Sequence, residues 1–338
     1  MSQDNRCSLP FTGHFQLNID RNIISPCCKV RAAPVIDGNL VTDDTIEIRN
    51  HIIENKKHPL CSECWKVEEN GGPSFRTRYS SHKTTDWSSV DVYSQPKKII
   101  FIFSNKCQMM CAYCGPDASS MWEAHKGIIP IRQEHAKLNI DLDGLDGISI
   151  SGGEPLLEDK CIDFLMNLEF RKNRDISLVT NLSYGPATFR KLRQIIERHP
   201  NISIGCSIDA IGENVSRKYL NWELWDSNFH NLVQQLQERL SSYPNASVYT
   251  KSTLGILNYE DIQGVVEYIL EFRKKGNAGI TFDINPLTSD SVTSLGSARI
   301  DNSTQIILDR NMTALLTRKE ANLIYLTNKM IEDSVYDN

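Results

Sequence analysis

The sequence predicts an α/β protein: a mainly parallel sheet with helices outside it, preceded by a small cysteine-rich module built on a β-hairpin. From Lys97 to about Leu287, apolar strand-like runs alternate with amphipathic helical stretches. Three cysteines spaced C-x3-C-x2-C follow the first of these strands directly. Five more cysteines crowd into the first 64 residues.

Taken in order, Phe15-Gln-Leu-Asn-Ile-Asp20 alternates like a strand, and Asp20-Arg-Asn22 reads as a turn into a second strand that ends near Cys27. Cys7, the pair Cys27-Cys28 and Cys61-Ser-Glu-Cys64-Trp65 belong to this module, residues 1–80. Residues 81–96 are Ser- and Thr-containing and read as a polar linker, so the repeating part is residues 97–288. Its first strand, Ile99-Ile-Phe-Ile-Phe103, runs into Cys107-Gln-Met-Met-Cys111-Ala-Tyr-Cys114. Three thiolates on one short loop can hold one face of a cubane iron–sulfur cluster. Such clusters usually take four cysteines, so one iron would stay open to an outside ligand. A zinc knot with a fourth ligand elsewhere, or three core cysteines, would use the same spacing.

The next strand, Gly147 to Ser151, ends in Gly152-Gly153-Glu154-Pro155, the proline suiting a helix start. A helix through Phe164, Leu165 and Leu168 follows. Ile176 to Thr180, ending in Asn181, precedes a helix through Phe189, Leu192 and Ile195. Ile202 to Asp209 precedes a long helical region holding Leu232, Leu236 and Leu240. Ser247 to Leu254 precedes a helix from Tyr259 to about Lys274, and Ile280 to Pro286 closes the series. Residues 289–338 read as a loop, Ser289 to Thr304, and a terminal helix, Arg318 to Asp333.

Strand alternation separates two faces. Along Ile202–Asp209 the isoleucines and Cys206 share one face, while Ser203, Gly205, Ser207 and Asp209 share the other. Thr281, Asp283 and Asn285 repeat the polar face on the last strand. A polar interior suits a hydrogen-bonding substrate. Cys206 and Cys161 read as buried hydrophobes. With 40% hydrophobic and 23% charged residues, the composition is that of a globular enzyme, expected to be soluble and cytoplasmic with no membrane partner. A net charge of −5 gives no general attraction to nucleic acid. The cysteine count fits metal ligation in a reducing compartment.

The cysteine triplet and the Gly152-Gly153-Glu154 turn one strand later together resemble the radical S-adenosylmethionine (SAM) superfamily. That resemblance implies a partial (βα)6 TIM-like barrel, with the site at the C-terminal ends of its strands. It implies a 4Fe-4S cluster on Cys107, Cys111 and Cys114, whose open iron chelates the amino and carboxylate groups of SAM. Gly152, Gly153 and Glu154 would hold the methionine end. Thr180, Asn181, Ser207 and Asp209 match strand-end positions that meet the SAM ribose and carboxylate. Arg217, placed in the helix after the fourth strand, matches an arginine that pairs with the SAM carboxylate; a solvated helix charge is the other reading. Tyr113 and Leu254 match positions beside the adenine, and either would serve as core.

Reduction by a donor such as flavodoxin or ferredoxin would break a carbon–sulfur bond of SAM. The resulting 5′-deoxyadenosyl radical takes hydrogen from an unactivated carbon. The N-terminal module resembles twitch or SPASM-type auxiliary cluster modules, with Cys61-x2-Cys64-Trp-x2-Glu68-x2-Gly71-x2-Ser74-x-Arg76 as its signature. Its ligands would be Cys7, Cys27 or Cys28, Cys61 and Cys64. They would hold an auxiliary 4Fe-4S cluster that relays electrons or braces the fold, and a four-cysteine zinc site satisfies the same spacing.

Three functional readings follow, two of them substrate classes. Weaker similarity to phage-encoded radical SAM proteins of thymine hypermodification points to isomerisation of an amino-acid-decorated thymine in viral DNA, in a host cytoplasm. Basic residues there include Arg76, Arg78, Lys97, Lys98, Arg171 and Lys172, which equally suit a solvated surface. Radical modification of a peptide or protein side chain is the alternative. A metal-binding adaptor without SAM chemistry is disfavoured by the intact triplet and Gly-Gly-Glu turn.

Overall fold

A computed structural model of the protein describes residues 4–286, apart from 14, 31, 36–38, 70–73, 81–83, 129–139, 213–215, 241, 244–245, 255–257, 259–260 and 275–279. The expected loop at 289–304 and helix at 318–333 lie outside the described residues, as do Gly71 and the side chains of Arg78, Leu254, Asp283 and Asn285. The described strands are β1 Phe15–Asn18, β2 Ile23–Ser25, β3 Ala33–Pro34, β4 Lys98–Ile102, β5 Met110–Cys111 and β6 Gly147–Ser151. They continue with β7 Asp175–Thr180, β8 Ser203–Ser207, β9 Arg217–Lys218, β10 Ser247–Leu254 and β11 Ile280–Pro286. Strands β4, β6, β7, β8, β10 and β11 are the six expected for a partial (βα)6 barrel, an α/β fold with parallel pairing.

The chain divides into two compact units. One comprises Met1–Ser104, Ile129–Gly152 and Arg171–Ile176. In it β1 and β2 form the expected hairpin, Leu17 opposite Ile24, through a turn whose Asn22 has φ 52°. Strand β1 also pairs in parallel with β4, Phe15 opposite Ile99, and β4 pairs with β6. The hairpin therefore extends the strand layer instead of standing apart. Phe15, Leu17, Ile99 and Phe101 alternate into the core because strand side chains repeat every second residue.

Helix Asp43–Ile53, absent from the sequence reading, starts at Thr42, whose side chain accepts the Thr45 N–H. Its buried positions are Thr45, Ile48, Arg49 and Ile52. Arg49 is fully buried. It donates to the carbonyls of Pro10 at 2.8 Å, Ser94 at 2.9 Å and Val92, and its guanidinium lies over Phe11 at 5.2 Å. Burial pulls its pKa down to about 10. The stretch expected to be a linker is thus tied down. Trp87, Val90 and Val92 pack against the core of Leu9, Phe11, Cys27 and Ile48, and Trp87 meets Phe11 edge-on at 5.8 Å.

The second unit comprises Asn105–Ile128, Gly153–Phe170 and Ser177–Asn338. Its strands run β11-β10-β8-β7, all parallel, with Ser177 opposite Ser203 and Val248 opposite Ile204. Helices Asp159–Asn167, Pro186–Arg198, Trp222–Leu240 and Ile262–Lys274 alternate with the strands along the chain. Ile204, Cys206 and Ile208 are fully buried on one face of β8, as the alternation predicts, and Cys161 is buried in its helix. Among the described residues no helix is long and apolar enough to cross a membrane.

Replacing Arg49 by methionine keeps bulk but leaves the buried Pro10 carbonyl and the half-buried Val92 and Ser94 carbonyls without their donor. The unfolding free energy should fall by on the order of 3 kcal/mol in urea titrations. A loss below about 0.5 kcal/mol would contradict this tie.

Candidate active site and auxiliary cysteine cavity

The cysteine loop is held by its own backbone and by the helix that follows it. Asn105 donates to the Pro116 carbonyl at 2.6 Å, Ser119 to the Met109 carbonyl at 2.7 Å, and Trp122 to the Cys111 carbonyl at 2.9 Å. Met109 and Met110 are buried anchors between Cys107 and Cys111. Strand β5 pairs antiparallel with β9, setting Cys111 opposite Arg217. Arg217 is therefore on a short strand before helix Trp222–Leu240, not within it as the sequence reading placed it, because its backbone is claimed by the cysteine loop. Nor is it a solvated charge: it is buried and pairs with Asp209 at 2.6 Å.

Asp209 joins four segments. Beyond Arg217 it accepts the Tyr113 hydroxyl at 2.5 Å and the Thr253 N–H at 2.8 Å, while its carbonyl accepts from Asn258. The Arg217 guanidinium lies 5.6 Å from the Tyr113 ring centre. Burial pulls the Arg217 pKa down, but Asp209 more than offsets this and the net shift is upward. Its positive charge favours thiolate at all three cysteines. Cys111 falls to about 7, chiefly through a hydrogen bond from Cys114, whereas burial lifts Cys107 to about 11.

Glu154 is also buried, with both oxygens engaged. It accepts the Thr180 hydroxyl at 2.8 Å, the Asn181 N–H at 2.7 Å and the Leu156 N–H at 3.2 Å. Its own N–H reaches the Lys106 carbonyl at 2.7 Å. That approach needs Gly153: a Cβ there would lie 2.3 Å from the Lys106 carbonyl oxygen. Gly152 has φ 131°, a region that favours glycine. Asn181 exchanges amide hydrogen bonds with Gln108 at 3.1 and 3.2 Å and sends its Nδ2 to the Cys107 sulfur at 3.9 Å. Gln108 was missed by the sequence reading because a glutamine between cluster cysteines carries no pattern. Ser207 is half-buried, its carbonyl accepting from Trp225. Ser203 bonds Ser247 at 2.7 Å, and Thr281 is exposed. Three thiols on one short loop and a guanidinium that favours their ionised form fit an iron–sulfur cluster.

In the other unit Cys7, Cys27, Cys61 and Cys64 line one cavity, together with Lys29 and Arg76, and Cys28, like Cys7 and Cys61, packs on the adjoining core that includes Cys27. Burial raises Cys7 to about 11 and Cys61 to about 12, while the charge of Arg76 pulls both down. The Trp65, Glu68, Ser74 and Arg76 signature interlocks. Glu68 accepts from Ser74 and Arg76, Arg76 donates to the Asp4 and Arg6 carbonyls, and its guanidinium lies 4.7 Å from the Trp65 ring centre. Among the described residues, ligand atoms mutually within 4.8 Å occur for Glu47, His51 and His58, not for any three of these cysteines. His58 Nδ1 accepts the Leu60 N–H, so its Nε2 carries the proton facing Glu47, a hydrogen bond and not a metal site. Of the basic residues, Arg76 is spent on Glu68, Lys98 on Asp175 at 2.8 Å and Arg171 on Asp143 at 2.5 Å, so these three do not offer a free basic groove.

The fold and the cysteine loop define an enzyme of radical chemistry, and the comparisons place it. The family described as the Radical SAM superfamily matches residues 101–269, half of the chain. The chain belongs to the radical SAM superfamily. It is 27% identical over 211 residues to a GTP 3′,8-cyclase of Nautilia profundicola, covering 61% of this chain and 60% of that one. It is 22% identical over 194 residues to the GTP 3′,8-cyclase of Sulfurimonas denitrificans, covering 57% and 60%. The chain thus spans about 60% of the length of these curated relatives. A solved structure titled native anSMEcpe with bound AdoMet aligns at 16% identity and TM-score 0.36, covering 59% of this chain and 55% of that one.

Burial raises the Glu154 carboxyl from 4.5 to about 7, against hydrogen bonds from Asn181, Thr180 and Leu156 that lower it. Between those values the folded protein holds a proton that the unfolded chain has released, so this group's contribution to stability falls as pH rises. Melting temperatures of wild type and E154Q, measured across that window, should differ progressively with pH. Parallel profiles would contradict the shift.

Proposed function

We propose that this radical SAM enzyme isomerises an amino-acid-decorated thymine in DNA, converting a nitrogen-linked adduct into a carbon-linked one of unchanged mass. The observation that carries the reading is that the curated relatives are named for a reaction on a nucleotide, GTP, which favours a nucleobase over a peptide side chain. The half-buried Ser207 at the end of β8 supports a heteroatom-rich substrate.

Cys107, Cys111 and Cys114 hold the 4Fe-4S cluster in this reading, and the Gly152-Gly153-Glu154 turn, packed on the backbone of the cysteine loop, would hold the SAM methionine end. When bound, cluster and SAM supply one-electron cleavage of a carbon–sulfur bond and hence hydrogen abstraction from carbon. Asp209 fixes Arg217 and Tyr113 beside the cluster loop. Glu154 fixes Thr180 and Asn181, and Gln108 and Asn181 orient Cys107. Arg217 offers the charge that a SAM carboxylate needs.

Cys7, Cys27, Cys61 and Cys64 hold an auxiliary 4Fe-4S cluster, with Cys27 rather than Cys28 as ligand. Four thiolates on one zinc ion would stand about 3.8 Å apart, given Zn–S bonds of about 2.3 Å. The company of the Cys107, Cys111 and Cys114 loop favours iron–sulfur over such a zinc site. Lys29 and Arg76 offset its negative charge.

The test is anaerobic incubation of enzyme, SAM and a flavodoxin system with single-stranded DNA bearing the decorated thymine, beside GTP and peptide controls. The expected product is a nucleoside isomer separable by chromatography, its mass unchanged because the abstracted hydrogen returns from 5′-deoxyadenosine to the rearranged radical, and it should be absent with the C107A/C111A/C114A variant. Turnover of GTP or a peptide with the DNA unchanged would overturn the base reading.

A further inference from the structure

We propose that Tyr219 is a stacking platform for the substrate's planar heteroaromatic ring, with Lys218 alongside for a neighbouring phosphate. This rests on the nucleobase reading above and names the contact that recognises the base.

The backbone raises the question. Four non-glycine residues among those described have positive φ: Asn22, Asn55, Leu182 and Tyr219. Asparagine tolerates that region through its short polar side chain. Leu182 is fully buried, so packing compensates its strain. Tyr219 has neither excuse. Its φ is 74° and its side chain is 54% exposed. The Leu220 N–H bonds the Arg217 carbonyl at 3.0 Å, which puts Tyr219 at the third position of a tight turn, where glycine is favoured. A bulky aromatic held there without burial costs stability and gains nothing for the fold.

The turn is mounted rigidly at the site. On one side Arg217 pairs in register with Cys111 and is locked to Asp209. On the other, the Asn221 N–H bonds the Ser183 hydroxyl at 2.8 Å, and the Asn221 side chain accepts the Leu224 N–H at the start of helix Trp222–Leu240. Lys218, opposite Met110 in the cysteine loop, brings its ammonium to 5.2 Å from the Tyr219 ring centre. An exposed aromatic and a cation on a rigid turn, two residues from the cluster-facing arginine, form the pair that binds single-stranded nucleic acid by stacking and charge. Strain concentrated beside a reactive centre is where function outweighs stability.

The test uses the full chain, anaerobically reconstituted. Y219G removes the ring and suits the turn, so its melting temperature should equal or exceed that of wild type. Its affinity for a fluorescein-labelled single-stranded oligonucleotide carrying the decorated thymine should fall by about tenfold or more in anisotropy titrations. Y219F and Y219W should stay within about threefold of wild type, since stacking survives in both. Substrate-independent formation of 5′-deoxyadenosine should be unchanged. Wild-type affinity in Y219G, or a loss confined to the rate of reduction by flavodoxin, would overturn the proposal while leaving the base reading intact. If wild-type enzyme neither binds nor converts the decorated strand, the base reading fails and this inference with it.

Discussion

The site hangs on one buried ion pair. Asp209 and Arg217 meet at 2.6 Å with almost no exposure, and each would be costly to bury alone. Their contact joins the end of β8 to β9, and through the β5–β9 pairing to Cys111. The same carboxylate reaches the β10 backbone at Thr253 and the hydroxyl of Tyr113. Replacing either partner would leave an uncompensated charge in the interior and release the cysteine loop from the strands that position it. The guanidinium also biases all three thiols toward the ionised form that binds iron. Position and electrostatics of the loop thus share one source.

A second buried carboxylate works by hydrogen bonds instead of charge. Among the described residues Glu154 has no cation as partner, and it is held by two backbone N–H groups and a hydroxyl. It closes the Gly152-Gly153 turn over the Lys106 carbonyl and pins Thr180 and Asn181 at the end of β7. Gly153 cannot accept a Cβ without colliding with that carbonyl, so turn and cysteine loop are specified jointly.

Much of this was legible in the sequence. The barrel strands were readable because β-period alternation and apolar runs are local signals: Gly147–Ser151, Ser247–Leu254 and Ile280–Pro286 stand where the pattern put them. The burial of Cys161 and Cys206 followed from the same alternation and from helix position. What failed was non-local or broke the apolar pattern. Arg217 was read as helical because a two-residue strand has no periodicity and its partner lies about a hundred residues earlier. Helix Asp43–Ile53 was missed because its buried face carries Thr45 and Arg49 among isoleucines. Residues 81–96 read as linker because Trp87, Val90 and Val92 are scattered among polar residues, although these three dock on the module's core. That Cys7, Cys27, Cys61 and Cys64 form a set was readable from their spacing, and the fold brings these four to one cavity.

The most direct measurement is electron paramagnetic resonance of the reduced, anaerobically reconstituted protein with and without SAM. An iron left open by Cys107, Cys111 and Cys114 predicts a cluster signal whose g values shift when SAM is added. The C107A/C111A/C114A variant should lose that signal and keep one that SAM does not move, belonging to Cys7, Cys27, Cys61 and Cys64. A wild-type spectrum indifferent to SAM would contradict the open-iron account, and a variant holding zinc without a cluster signal would contradict the auxiliary cluster.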